Sequence, residues 1–112
     1  MIIPDDIFQA DCDRLLTDWG VDAVAQVVTI VGGVESVAPT TVTVITAKQR
    51  IPGLSGAPDT FEMTITTATG SLPMVPGGSW LRWQYEGHQW DVRERRDHAG
   101  DTMTVFITRR AD

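Results

Sequence analysis

From Ser79 to Thr108 apolar and polar residues alternate with a period of two, and two turn signals interrupt the alternation. This restricts the fold more than any other feature of the chain, because that period sends successive side chains to opposite faces of a strand. Residues 79–85 place Trp80, Arg82 and Gln84 on one face and Leu81, Trp83 and Tyr85 on the other. Glu86-Gly87 is a hairpin signal. Residues 88–95 return, with Trp90 and Val92 alternating against Gln89, Asp91 and Arg93. Residues 97–101 (DHAGD) form a polar turn. Residues 102–108 follow, with Met103, Val105 and Ile107 alternating against Thr104, Phe106 and Thr108. The pattern predicts a three-strand antiparallel meander.

Upstream, residues 23–31 are rich in Val and read as a strand that Gly32-Gly33 breaks. Residues 40–47 alternate Val42, Val44 and Thr46 against Thr41, Thr43 and Ile45. Residues 61–69 place Phe61, Met63 and Ile65 on one face. Two connections are rich in Pro and Gly: a long loop over 48–59, and residues 70–79. Residues 5–19 instead carry a helical period. Phe8, Cys12, Leu15, Leu16 and Trp19 lie on one apolar stripe, Asp6 and Gln9 make a capping-box pattern, and Gly20 stands just past the end. The expected fold is α+β: helix 5–19 packed on a small antiparallel β-barrel or sandwich of about six strands. One domain spans 1–112, with its β-rich part over 23–109.

Composition narrows the function classes. With 112 residues and a single Cys, the chain has no internal disulfide framework. It has no apolar run long enough for a membrane helix, and no membrane partner is expected. The start MIIPDDIF lacks the basic and apolar regions of a signal peptide, so the chain is expected to stay in the compartment where it is made. The net charge of -6 argues against non-specific duplex binding. That charge is uneven. Residues 1–22 hold six Asp against Arg14, whereas residues 79–112 hold six acids against six arginines. Arg pairs with carboxylates through a planar fork, so an acidic end of one subunit can meet the arginine-rich end of another. The other reading is solvated charge on a helix face and on strand edges; in an assembly of subunits, the expected interface sets Arg93, Arg95 and Arg96 against Asp5, Asp6 and Asp11.

No catalytic constellation emerges, and the chain is read as a non-enzyme without metal or cofactor. His98 between Asp97 and Asp101 reads as turn chemistry. Cys12 sits on the apolar stripe, where a thiol is buried and inert. Ser55 lacks the strand–turn–helix setting of a nucleophile elbow. Gly77-Gly78 has no following Lys-Ser/Thr for a phosphate loop. Trp80, Trp83 and Trp90 fall within one hairpin, so one face can fill a core while the other meets the helix, a loop or another protein.

Residues 76–109 (PGGSWLRWQYEGHQWDVRERRDHAGDTMTVFITR) resemble the small head–tail joining proteins of tailed bacteriophages, the family that includes the phage lambda head–tail joining protein. The similarity is carried by Gly78-Ser79-Trp80-Leu81, Glu86-Gly87, Trp90-Asp91-Val92, His98-Ala99-Gly100-Asp101 and residues 104–109. The resemblance implies a structural virion protein at the head–tail interface, assembled in the host cytoplasm. Subunits would form a homo-oligomeric ring between portal or adaptor and tail proteins, with DNA passing through unread. A tail-completion or tail-terminator protein is the alternative within that assembly. A small single-stranded nucleic-acid-binding barrel, with aromatics beside Arg82, Arg93, Arg95 and Arg96, is the alternative outside it. The loop residues Lys48, Arg50, Ile51, Leu54 and Asp59 are the first candidates for a segment that orders on assembly, and residues 31–39 the second.

Overall fold

The computed structural model describes Leu16, residues 18–98 and residues 102–111. Six strands make up most of them: β1 (Val21–Val31), β2 (Val34–Ile51), β3 (Thr60–Ala68), β4 (Ser79–Tyr85), β5 (His88–His98) and β6 (Met103–Arg110). They close into an antiparallel barrel in the order β1-β2-β3-β6-β5-β4. The meander predicted over the last third is present, and β4 spans the residues its alternation marked.

The α+β expectation is overturned. The described chain is an all-β barrel, and no described helix packs on it. Most of the expected helix 5–19, with Asp5, Asp6 and Asp11, lies outside the described residues. Leu16, Asp18 and Trp19 have helical geometry, and the Gly20 N–H donates to the Leu16 carbonyl at 2.9 Å. Trp19 is 73% exposed, so its indole is not docked. The physical reason is closure. Pairing of β1 with β4 joins the two ends of the sheet, and the barrel then fills its interior with its own side chains.

The filling is a match of small against large. Ala25 on β1 faces its register partner Trp83 on β4, and Trp83 faces Trp90 on β5. The short side chains of Ala23 and Ala25 leave room for two indoles. The Phe106 ring meets Trp83 edge-on, with centroids 5.4 Å apart. Val42, Val44, Met63 and Ile65 complete the core. The inward face of β6 is Thr104, Phe106 and Thr108, all buried. Buried hydroxyls need partners, and these have them: Thr108 donates to the Met63 carbonyl at 2.7 Å, and Thr67 of β3 to the Thr43 carbonyl at 2.8 Å.

Two expectations about connecting segments change. Residues 31–39, the second candidate for ordering on assembly, are hairpin turn and strand. Val31 pairs with Val34 across Gly32-Gly33, whose φ angles of 59° and 79° suit a two-residue hairpin turn that continues the strand twist. The 48–59 loop is shorter than expected, because Lys48, Arg50 and Ile51 belong to β2 and pair with β3. Its remainder is tied internally. The Ala57 N–H donates to the Leu54 carbonyl at 3.0 Å, the Gly53 N–H donates to Asp59 Oδ1 at 3.0 Å, and Arg50 pairs with Asp59 at 3.3 Å.

Candidate functional site

With the interior filled, the two ends of the barrel carry the surfaces available for recognition. At one end β1 and β2 continue as a two-stranded arm. Beyond the Thr29–Ser79 pair β1 has no β4 partner, and β2 over 34–44 pairs with β1 alone among the described strands. The arm's tip is apolar and exposed: Ile30, Val31 and Val34 are each more than half exposed. Its base is anchored. On the outer face Val28 is fully buried between its register partners Val37 and Trp80. Beside it Arg82, whose side chain is only 14% exposed, donates from Nε to Gln26 at 3.0 Å and pairs with Glu35 of the arm at 3.0 Å. Gln26 in turn donates to Gln84 at 3.3 Å. The chain Glu35–Arg82–Gln26–Gln84 ties the arm to β4. Arg82 had no distinct role in the sequence, since its partners lie 47 and 56 residues away.

Next to the arm is a cleft of about 570 Å³, lined in part by Trp80, Leu81, Val92 and Phe106, with Asp91 and Arg95. It exists because β4 and β5 stop pairing after Arg82–Asp91, whereas β5 continues along β6 to His98–Met103. Between Val92 and Glu94 the register slips by one, leaving Arg93 as a bulge residue. A bulge reverses the facing of everything after it. Arg95 and Asp97 therefore come to the same side as Phe106 and Thr104, which strict alternation did not anticipate. The Arg95 guanidinium lies 5.7 Å over the Phe106 ring and pairs with Asp97 at 3.2 Å. Asp97 also accepts a 2.7 Å hydrogen bond from Thr104, whose hydroxyl shares a second 2.8 Å bond with Thr69. The Thr104 hydroxyl, and then Arg95, hold the Asp97 carboxyl below its ordinary range.

The structure divides the described interface candidates between the two ends. Arg93, Arg95 and Arg96 lie on the β5 segment at the arm end. Arg96 is held by Glu94 through two hydrogen bonds of 2.9 and 3.1 Å, which raise its pKa. Lys48, Arg50, Ile51 and Asp59 lie at the opposite end, around the β4–β5 turn, and Leu54 projects from the loop there at 85% exposure. Lys48 pairs with Glu86, which lowers the Glu86 pKa, and lies 5.8 Å over the Tyr85 ring. Arg110 stacks over Phe61 at 4.2 Å. Phe61 and Arg110 were not singled out together in the sequence, because they are 49 residues apart and meet only through the β3–β6 pairing.

Of the four Trp, Trp83 and Trp90 fill the core, Trp80 is 42% exposed beside the cleft, and Trp19 is exposed. Among the described residues no three His, Cys, Asp or Glu side chains converge as metal ligands. No protein-family model matches the chain, and no curated protein matches it.

Proposed function

We propose that the protein is a structural subunit of a phage head–tail connector, which assembles into a ring through its arm end. The observation that carries this reading is the β1–β2 arm: an anchored hairpin with an apolar tip and a strand edge over 34–44 that is unpaired among the described residues. An exposed, apolar, unpaired edge is a liability in a lone monomer and an asset in an assembly that covers it. The strand-and-turn pattern of residues 76–109 supports the same reading. Head-to-tail contacts close into a ring when the rotation between neighbours permits. Arg93 is the β5 arginine without a carboxylate partner among the described residues, so it is the arginine offered to a neighbour. Asp5, Asp6 and Asp11 are its proposed counter-charges.

Sedimentation of the wild-type chain and of a Val31→Asp/Val34→Asp double variant tests the proposal. The wild type should form a discrete oligomer. The variant should remain a folded monomer, because both side chains are already in water and their replacement costs little folding stability. A wild type that stays monomeric at high concentration, or a variant that assembles equally well, overturns it.

A further inference from the structure

The turn end carries a cavity whose chemistry opposes the net charge of the chain. It has a volume of about 340 Å³ and opens between the end of β2, the start of β3, the β4–β5 turn and the end of β6. Lys48, Arg50, His88 and Arg110 line it from three different strands, Phe61 and Trp90 give it aromatic walls, and Glu86 is the carboxylate that lines it. Four basic groups from three strands, against one lining carboxylate, in a chain of net charge -6 are a local inversion of sign.

Arg110 is the most informative of them. Lys48, Arg50, Arg82, Arg95, Arg96 and Arg109 each face a carboxylate. Among the described residues Arg110 has none, nor an acceptor for any of its five N–H donors. Its guanidinium is instead fixed 4.2 Å above the Phe61 ring at the cavity wall. Stacking holds the group in place without consuming its hydrogen-bonding capacity. Lys48 is oriented as well, by the Tyr85 ring beneath it and by Glu86 beside it. The Lys48–Glu86 pair is about half exposed, so an incoming anion can displace the carboxylate at little cost.

We propose that this cavity binds the phosphate group of a nucleotide, with Arg110 and Lys48 taking phosphate oxygens and Phe61 flanking the sugar or base. A fixed guanidinium fork plus an ammonium matches three acceptor oxygens and up to two charges better than it matches a single carboxylate. The volume lies at the lower end of the roughly 300–1,000 Å³ range of small-molecule sites, which leaves room beyond the phosphate itself. A free nucleotide and the phosphorylated end of a strand share this chemistry. The site does not depend on ring formation, and its test is read on the chain in any oligomeric state.

The full-length chain should be titrated calorimetrically at low salt with thymidine 5′-monophosphate, with oligothymidylate carrying or lacking a 5′-phosphate, and with an oligoglutamate peptide. The phosphorylated probes should bind. Binding of the mononucleotide assigns a free nucleotide, and binding of the 5′-phosphorylated strand alone assigns a strand end. Arg110→Gln should weaken binding about tenfold or more, the scale of one charge-assisted contact. Glu86→Gln should strengthen it several-fold by releasing Lys48, a gain that misfolding cannot mimic. No binding of either phosphorylated probe, unchanged affinity in Arg110→Gln, weaker binding in Glu86→Gln, or equally tight binding of oligoglutamate overturns the proposal.

Discussion

The two ends of the barrel share one core and differ in how their strands finish. At the arm end, strands outrun their neighbours: β1 and β2 extend past β4, and β5 and β6 extend past the last β4–β5 pair. Unequal strand lengths leave unpaired edges and a cleft. At the turn end, β4 and β5 join through Glu86-Gly87, and cations are drawn in over aromatic rings. One end is therefore built for contact with backbone and apolar surface, and the other for contact with charge. The lesson is that a filled barrel places its recognition chemistry where strand pairing begins and ends.

The most damaging way to test this division is to break what both ends share. Trp83→Ala removes the largest fully buried side chain and its Phe106 contact. It should cost about 3–5 kcal/mol, read as a lower urea midpoint, and both ends should be lost together. A variant that kept either end ordered by amide exchange would show the two ends to be independent.

A smaller effect separates them. Arg82→Ala cuts the tie between arm and β4 and strands Gln26 and Glu35. It should cost about 2 kcal/mol, with faster amide exchange in the arm and unchanged exchange around Glu86. Equal acceleration at both ends would contradict the idea of a locally anchored arm.

The smallest effect is acid sensitivity, which both ends possess for different reasons. Asp97 is depressed first by the Thr104 hydroxyl, and Glu86 first by Lys48. Each carboxyl thus binds a proton less readily in the folded than in the unfolded chain. Their contribution is fully present above the ordinary carboxylate pKa of about 4 and is lost as pH falls through the lower folded values. Thr104→Val should move the Asp97 titration, followed by carboxyl NMR, back toward its ordinary range and leave that of Glu86 where it is. A shift in both would couple the two ends.

Much of the meander was legible. Its alternation located β4, and Glu86-Gly87, with φ of 51° and 77°, marked the turn. Gly32-Gly33 carries an equally local signal, yet it reads as a break because the residues after it, VESVAPT, do not alternate apolar with polar. They are strand all the same, exposed on both faces, so no burial imprints a period on them. Pro39 is tolerated there because, among the described strands, β2 has a neighbour on only one side at that point. The helical period of 5–19 falls mostly outside the described residues, and only Leu16, Asp18 and Trp19 have helical geometry. At the candidate site, Lys48 and Arg50 read as loop charges in the sequence but are β2 residues that line one cavity with Arg110.

By itself the sequence determined the strands of the meander, the facing of β4 and of β5 as far as Val92, and the Glu86-Gly87 turn, because these depend on a period of two and on backbone preferences within a few residues. Only the tertiary structure decided that the sheet closes, that β2 runs on into an arm, that a bulge at Arg93 turns Arg95 toward Phe106, and that Arg110 stands over Phe61. Those outcomes depend on pairings between residues tens of positions apart, where the free energy of filling one shared interior selects the partners.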